Sequence, residues 1–207
     1  VVILAQKIRV ILITDGDNVA QAAVEDIAMS LNLRCISASA GNPTPISGTE
    51  IVKLLKTVHH DPVLVMFDDR GDTFKGDGER AMEYVACHPD IEVLGAVAVA
   101  SNTPGSVGVV ANECITSGGN IVANAVDKKG ANKGGIYEPQ VIVGDTVDVL
   151  NHLDIPFIVG IGDIGKMNRA DDIEKGAPVT RRAIEEILRR SGVEYGRKTK
   201  NCQRNRQ

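Results

Sequence analysis

A β-branched and aliphatic run over residues 8–13 stops abruptly at Thr14-Asp15-Gly16-Asp17, which predicts a strand running into a turn. Asn18 then opens a stretch in which Val19, Ala22, Ala23, Ile27 and Ala28 recur at helical spacing up to Leu31. Residues 33–36 form the next short strand, and residues 39–47, with Gly41-Asn42-Pro43-Thr44-Pro45, form a loop because each Pro forces its predecessor into extended geometry. Ser47 and Glu50 are spaced as a capping box ahead of the apolar stripe Ile51, Leu54, Leu55 and Val58, a second helix. Residues 63–67 are wholly apolar, as in a strand buried on both faces, and they end in Asp68-Asp69-Arg70-Gly71. A polar, glycine-rich segment precedes a third helix marked by Ala81, Tyr84 and Val85, and residues 91–100 are the longest apolar strand.

Strands alternating with helices predict a parallel sheet with right-handed crossovers and helices on both faces. Residues 102–144 break that rhythm with short extended pieces at 107–110, 114–115 and 121–126, joined by the hairpin signal Ser117-Gly118-Gly119-Asn120. A short helix over 145–150, a buried strand over 155–161, a third acidic turn at Gly162-Asp163-Ile164-Gly165-Lys166, and a last helix over 178–190 with Pro178 in its first turn complete the pattern. The expected fold class is therefore α/β: three layers, a mainly parallel five-stranded sheet, flavodoxin-like or Toprim/Rossmann-like in general shape, with a β-hairpin insertion at about 102–144. Residues 1–192 read as one domain and 193–207 as a basic, disordered tail.

The 207 residues include 21 glycines but only three Tyr, three Phe and no Trp, so a surface that stacks rings on bases is disfavoured. The net charge is −4, and the last fifteen residues carry five Lys/Arg against one Glu, so residues 1–192 carry −8. Such a body repels phosphate backbones, and nucleic acid is not expected as a partner. No apolar run has the length of a membrane span or of a signal-peptide core, so a soluble chain is expected. Arg197, Lys198, Lys200, Arg204 and Arg206 offer the tail a weak contact with anionic lipid. The four cysteines show no C-x-x-C pair and read as buried small hydrophobes plus one tail thiol in a reducing compartment, and the four histidines show no ligand spacing.

Candidate chemistry concentrates in the acidic turns. In open parallel sheets ligands sit beyond the carboxyl ends of the strands, where all three turns fall. Asp15, Asp17, Asp68, Asp69 and Asp163 are expected on one rim, where clustered carboxylates require a cation among them: Arg70, Lys166, or a Mg²⁺ or Ca²⁺ ion held at Asp15, Asp68 and Asp163. The plainer alternative is that Asp and Gly make good turns and helix caps. Asp15-Gly16-Asp17-Asn18-Val19 after a strand resembles the first motif of haloacid-dehalogenase-like phosphatases, in which the first Asp attacks phosphorus and the second handles the leaving group's proton. That resemblance makes Asp15 and Asp17 catalytic candidates in a divalent-metal-dependent phosphohydrolase or phosphotransferase. Asp163 with Asp171-Asp172 imitates the late acidic motif of that family, but Lys166 follows it instead of preceding it. The turns are also similar to a Toprim metal site, with Asp15 where Glu is expected.

Longer blocks carry a second resemblance. They are Arg34-Cys35-Ile36-Ser37, Gly41-Asn42-Pro43-Thr44-Pro45, Met66-Phe67-Asp68-Asp69-Arg70-Gly71, His88-Pro89-Asp90-Ile91-Glu92-Val93-Leu94-Gly95, Gly144-Asp145-Thr146-Val147 and Val159-Gly160-Ile161-Gly162-Asp163-Ile164-Gly165-Lys166-Met167. In this order they resemble the soluble stage V sporulation protein AE family of spore-forming Firmicutes over residues 8–190. The resemblance implies no known catalytic activity and carries over no active-site residues. It implies an accessory of the machinery that moves dipicolinic acid, largely as its calcium chelate, into the spore and out at germination. Other dipicolinic acid channel proteins and germination proteins are then the expected partners, at the inner spore membrane.

Overall fold

The computed structural model describes residues 6–71, 75–134 and 141–195. Strands β1 (Ile8–Ile13), β2 (Arg34–Cys35), β3 (Val63–Met66), β4 (Ile91–Val99) and β9 (Ile158–Ile161) pair in parallel in the order β2-β3-β1-β4-β9. These are the five strands expected from the apolar runs. The insertion contributes β5 (Val109–Val110), β6 (Glu113–Ile115), β7 (Ile121–Val122) and β8 (Val141–Ile142). Its β6-β7 hairpin joins the same sheet, with β6 parallel to β9, so the sheet has seven strands, while β5 and β8 form a separate antiparallel pair. The sheet is wider than five strands because β6 aligns Glu113 and Cys114 with Val159 and Gly160 on the edge of β9.

Period-two alternation divides the core between two faces. Ile11, Ile13, Leu64, Met66, Val97, Val99, Val159 and Ile161 lie under α1 (Asn18–Ser30) and α4 (Pro178–Arg190). Val10, Leu12, Val63, Val65, Phe67, Ala96 and Ala98 face α2 (Gly48–Leu55) and α3 (Asp77–Ala86). The Ser47/Glu50 capping box is present, and α4 has the expected bounds. Several details differ from the periodicity. Leu54 and Tyr84 are exposed, with Val52 and Met82 buried in their place, because each stripe is rotated by about one position. Residues 145–147 form a turn, and the short helix is a 3-10 segment at Asp148–His152. Cys87 caps the C-terminus of α3 and is exposed, Cys35 is half-buried, Cys114 is buried, and Cys202 lies outside the described residues, as does the basic stretch 197–206.

The helices diverge at β1. The chain leaves β1 through α1 on one face and leaves the neighbouring β3 through α3 on the other, opening a crevice at the carboxyl edge of the sheet. Close approach sets its floor: a β-carbon on Gly78, at the start of α3, would lie 2.3 Å from the Asp68 carbonyl oxygen and 2.9 Å from its carbon. Gly78→Ala must therefore push α3 away from the turn after β3, at a cost of about 1–3 kcal/mol. Chemical denaturation measures that cost, and a midpoint equal to wild type would contradict the contact.

Candidate functional site

Among the described residues, three of the four α-helices have their N-termini held by an aspartate near the carboxyl edge of the sheet. Asp17 is the N-cap of α1, its Oδ1 accepting the N–H groups of Val19 (2.8 Å) and Ala20 (2.9 Å). Asp69 reaches across to α3, where it accepts the N–H groups of Gly78 (2.8 Å) and Glu79 (2.9 Å). Asp171, fully buried, accepts the N–H groups of Val179 (2.7 Å) and Thr180 (3.0 Å) at the start of α4, the Thr180 hydroxyl (2.6 Å) and the Gly165 N–H (2.9 Å). A carboxylate is favoured there by the unpaired N–H groups and the dipole of a helix N-terminus.

Asp17 and four further aspartates open into one cleft of ≈ 610 Å³. Asp15, Asp17 and Asp68 line it from the turns after β1 and β3, Asp145 from the end of the insertion, and Asp163 from the turn after β9, with Arg70 and Lys166 as its cations. The loop Gly41-Asn42-Pro43-Thr44-Pro45 is strapped to two of these turns. The Gly41 N–H donates to the Gly16 carbonyl (2.7 Å), the Thr44 N–H to the Asp68 carbonyl (2.9 Å), and the Asp68 N–H to Thr44 Oγ1 (2.9 Å). That places Asn42 on the cleft wall. Thr14 Oγ1 accepts the Val99 N–H (2.9 Å) and locks the ends of β1 and β4 together beneath it.

The carboxyls divide into two electrostatic classes. Lys166 Nζ lies 2.8 Å from Asp17 Oδ2 and 3.1 Å from Asp163 Oδ1. Burial works to raise the Asp17 carboxyl, but the Lys166 ammonium and the two helix N–H groups outweigh it and hold Asp17 below the usual carboxylate range. Burial likewise works against the charge of Lys166, yet its two carboxylate partners push it further above the ordinary lysine value. Asp15 and Asp68, by contrast, are 8% and 5% exposed, and among the described residues no cation pairs with either. Asp15 Oδ1 accepts one long bond from the Asp17 N–H (3.3 Å), and no described residue donates to Oδ2. Asp68 Oδ1 accepts the Asp69 N–H (2.9 Å). Burial, and then the Asp17 and Asp163 charges, push Asp15 up to about 7. Burial, and then Asp15 and Asp145, push Asp68 up to about 8.

A family model described as stage V sporulation protein AE1 matches residues 9–191, a span that includes every residue of this cleft. The chain belongs to the SpoVAE family. This SpoVAE chain accordingly has a sporulation-related role. No curated protein and no solved structure matches it. Among the described residues no helix of the SpoVAE chain is long and apolar enough to cross a membrane.

Of the residues singled out in the sequence, the SpoVAE fold brings Asp15, Asp17, Asp68, Arg70, Asp163 and Lys166 together and turns Asp69 away to cap α3. Among the described residues no group of three or more His, Cys, Asp or Glu side chains is placed to hold a metal ion, so the expected ion shared by Asp15, Asp68 and Asp163 has no ready-made cage. Lys166, one of the two side-chain cations expected on the rim, is the group that neutralises Asp17 and Asp163. Asp145 was missed. It accepts the Gly71 N–H (2.6 Å) and donates its own N–H to Ser101 Oγ (2.9 Å), bracing the cleft wall. Its signal was present, since Val141-Ile142-Val143-Gly144-Asp145 repeats the apolar run and acidic turn of the other three sites.

Proposed function

We propose that this SpoVAE protein is a binding accessory of the machinery that moves dipicolinic acid as its calcium chelate, taking up the chelate in the acidic cleft and acting through contacts with the channel and germination proteins at the inner spore membrane. Family membership supports the setting, and one observation supports the ligand class. The two floor carboxyls, Asp15 and Asp68, are buried and form no ion pair among the described residues, a costly arrangement that a bound cation relieves. Two carboxylates are too few to enclose a bare Ca²⁺, which takes six to eight oxygens. A Ca²⁺ that arrives with a chelator brings most of its own, and Arg70 at the lip supplies a charge for the chelator's carboxylates.

Hydrolytic chemistry is the weaker reading. A phosphatase of the type that Asp15 and Asp17 imitate needs an ionised nucleophile and a protonatable second Asp. In this cleft Asp17 has both oxygens engaged, Oδ1 by the N–H groups of Val19 and Ala20 and Oδ2 by the Lys166 ammonium, which leaves it no free oxygen to pass a proton to a leaving group.

Calorimetric titration with CaCl₂, sodium dipicolinate and the preformed chelate tests the proposal. The chelate should bind at least tenfold more tightly than either component, and Asp15→Asn with Asp68→Asn should weaken it at least tenfold, about 1.4 kcal/mol. Absence of chelate binding, or Mg²⁺-dependent phosphoester hydrolysis lost in Asp15→Asn, would overturn it.

A further inference from the structure

The turn Gly144-Asp145-Thr146-Val147 joins β8 to the 3-10 segment that follows, and one residue in it is held twice against its preference. Thr146 has φ of 62°, in the left-handed region, where a branched β-carbon crowds the backbone. The residue is 3% exposed, and its hydroxyl is closed to solvent with no hydrogen-bond partner among the described residues. A hydroxyl buried in this way gives up its hydration and recovers nothing in exchange. A β-branched residue stays in that conformation only where its neighbours impose it.

The neighbours do so on both sides. A β-carbon on Gly144 would lie 2.2 Å from the Val99 carbonyl oxygen, so the chain enters the turn pressed against the end of β4. The Ser101 N–H donates to the Val143 carbonyl (2.9 Å), and the Asp145 N–H to Ser101 Oγ (2.9 Å). Beyond the turn Val147 is fully buried, and Asp148 accepts the Ser106 hydroxyl (2.8 Å) and the N–H groups of Val107 (2.9 Å) and Gly108 (2.7 Å). Between these fixed ends the Asp145 carboxylate accepts the Gly71 N–H (2.6 Å) and so clasps the turn to the segment after β3. Asp145 lines the cleft and also a second recess of ≈ 200 Å³, whose walls include Lys75, Glu79, Ser106 and Thr146. The strained residue thus lies in the partition between two cavities, one peptide from the clasp.

We infer that the Asp145-Thr146 turn is a sprung element: the bond from Gly71 to Asp145 holds Thr146 in its left-handed, unpartnered state, and breaking that bond lets Thr146 move to negative φ with its hydroxyl turned to the recess. A group in the cleft that hydrogen-bonds the Asp145 carboxylate competes with Gly71 for it. Occupancy of the cleft is thereby coupled to the shape of the recess, whatever the occupant is.

Nuclear magnetic resonance of the full chain as wild type, Asp145→Ala, Thr146→Gly and the double variant tests the inference, with urea unfolding to establish that each is folded. The amide and α protons of one residue lie closer at positive φ than at negative φ, so the cross-peak between them at Thr146 reads its state directly. In Asp145→Ala it should fall to about half or less of its wild-type intensity, as a left-handed residue becomes a right-handed or extended one. Glycine is at ease at this φ, so Asp145→Ala should move the Val147 and Ser106 amide resonances in the wild-type background and leave them in place in the Thr146→Gly background. A Thr146 cross-peak unchanged in folded Asp145→Ala, or equal resonance shifts in the two backgrounds, would overturn the inference. Should Asp145→Ala not fold, Asp145→Asn replaces the charge-assisted bond by a weaker neutral one and is read in the same way, an unmoved cross-peak again being fatal. The chelate titration reads what the cleft holds and this experiment reads the turn, so either reading can fail alone.

Discussion

Asp171→Ala should destabilise the protein by about 3 kcal/mol or more, the largest effect expected of any single polar substitution here. The carboxylate is fully buried and receives four hydrogen bonds, from Gly165, Val179, and the backbone and side chain of Thr180. Alanine leaves those donors without partners in a space closed to water, and each unsatisfied buried donor costs about 1–3 kcal/mol. The loss is concentrated at the N-terminus of α4, whose own N-cap residue, Ala177, has no side-chain acceptor. Asp171→Asn keeps the oxygen that serves Val179 and Thr180 and loses the charge, so an intermediate loss is expected. Urea unfolding of the two variants measures both. A loss below about 1 kcal/mol for Asp171→Ala would show that water or a rearranged turn replaces the cap.

Stability should fall as pH rises from 5 to 8, and Asp15→Asn with Asp68→Asn should abolish most of that fall. Both carboxyls have folded values, about 7 and about 8, above the unbound carboxylate value of 3.8. Between these limits the folded chain holds protons that the unfolded chain has released. The contribution of these groups is therefore fully present below pH 4 and is lost as pH rises through the folded values, by at most about 1.4 kcal/mol per pH unit for each group. Because Asp15 and Asp68 repel one another, their protons leave in sequence and the fall is spread over the interval. Asp17, Asp61 and Glu186 are lowered and act in the opposite sense, but their contributions are lost only as pH falls below about 4, outside this window. Thermal or urea unfolding at pH 5, 6, 7 and 8 gives the slope. A wild-type stability that stays level or rises across that range would contradict the burial of uncompensated carboxyls.

Much of the architecture was legible because it is a local property. Buried parallel strands are unbroken apolar runs, so β1 and β3 stand out against the acidic turns that end them. The start of α2 was legible for the same reason: the Ser47/Glu50 capping box needs only residues three apart. Which face of a helix is buried was less legible, as Leu54 and Tyr84 show, because a stripe one position wide on a short helix leaves its rotation to whatever lies beneath it.

The sequence by itself determined the five parallel strands from β1 to β9, the α-helices between them and the clustering of Asp15, Asp17, Asp68 and Asp163 at one edge of the sheet, since parallel connectivity sends every strand end to the same side. Only the tertiary structure decided what each of those identical letters does. Asp69 and Asp171 meet helix N-termini eight or more residues away, Asp17 divides its oxygens between a helix and Lys166, and Asp15 and Asp68 form no ion pair among the described residues. The physical reason is that a carboxylate's role is set by the donors, cations and solvent within a few ångströms of it. Those neighbours come from turns far apart in the chain, brought together when α1 and α3 diverge to opposite faces of the sheet.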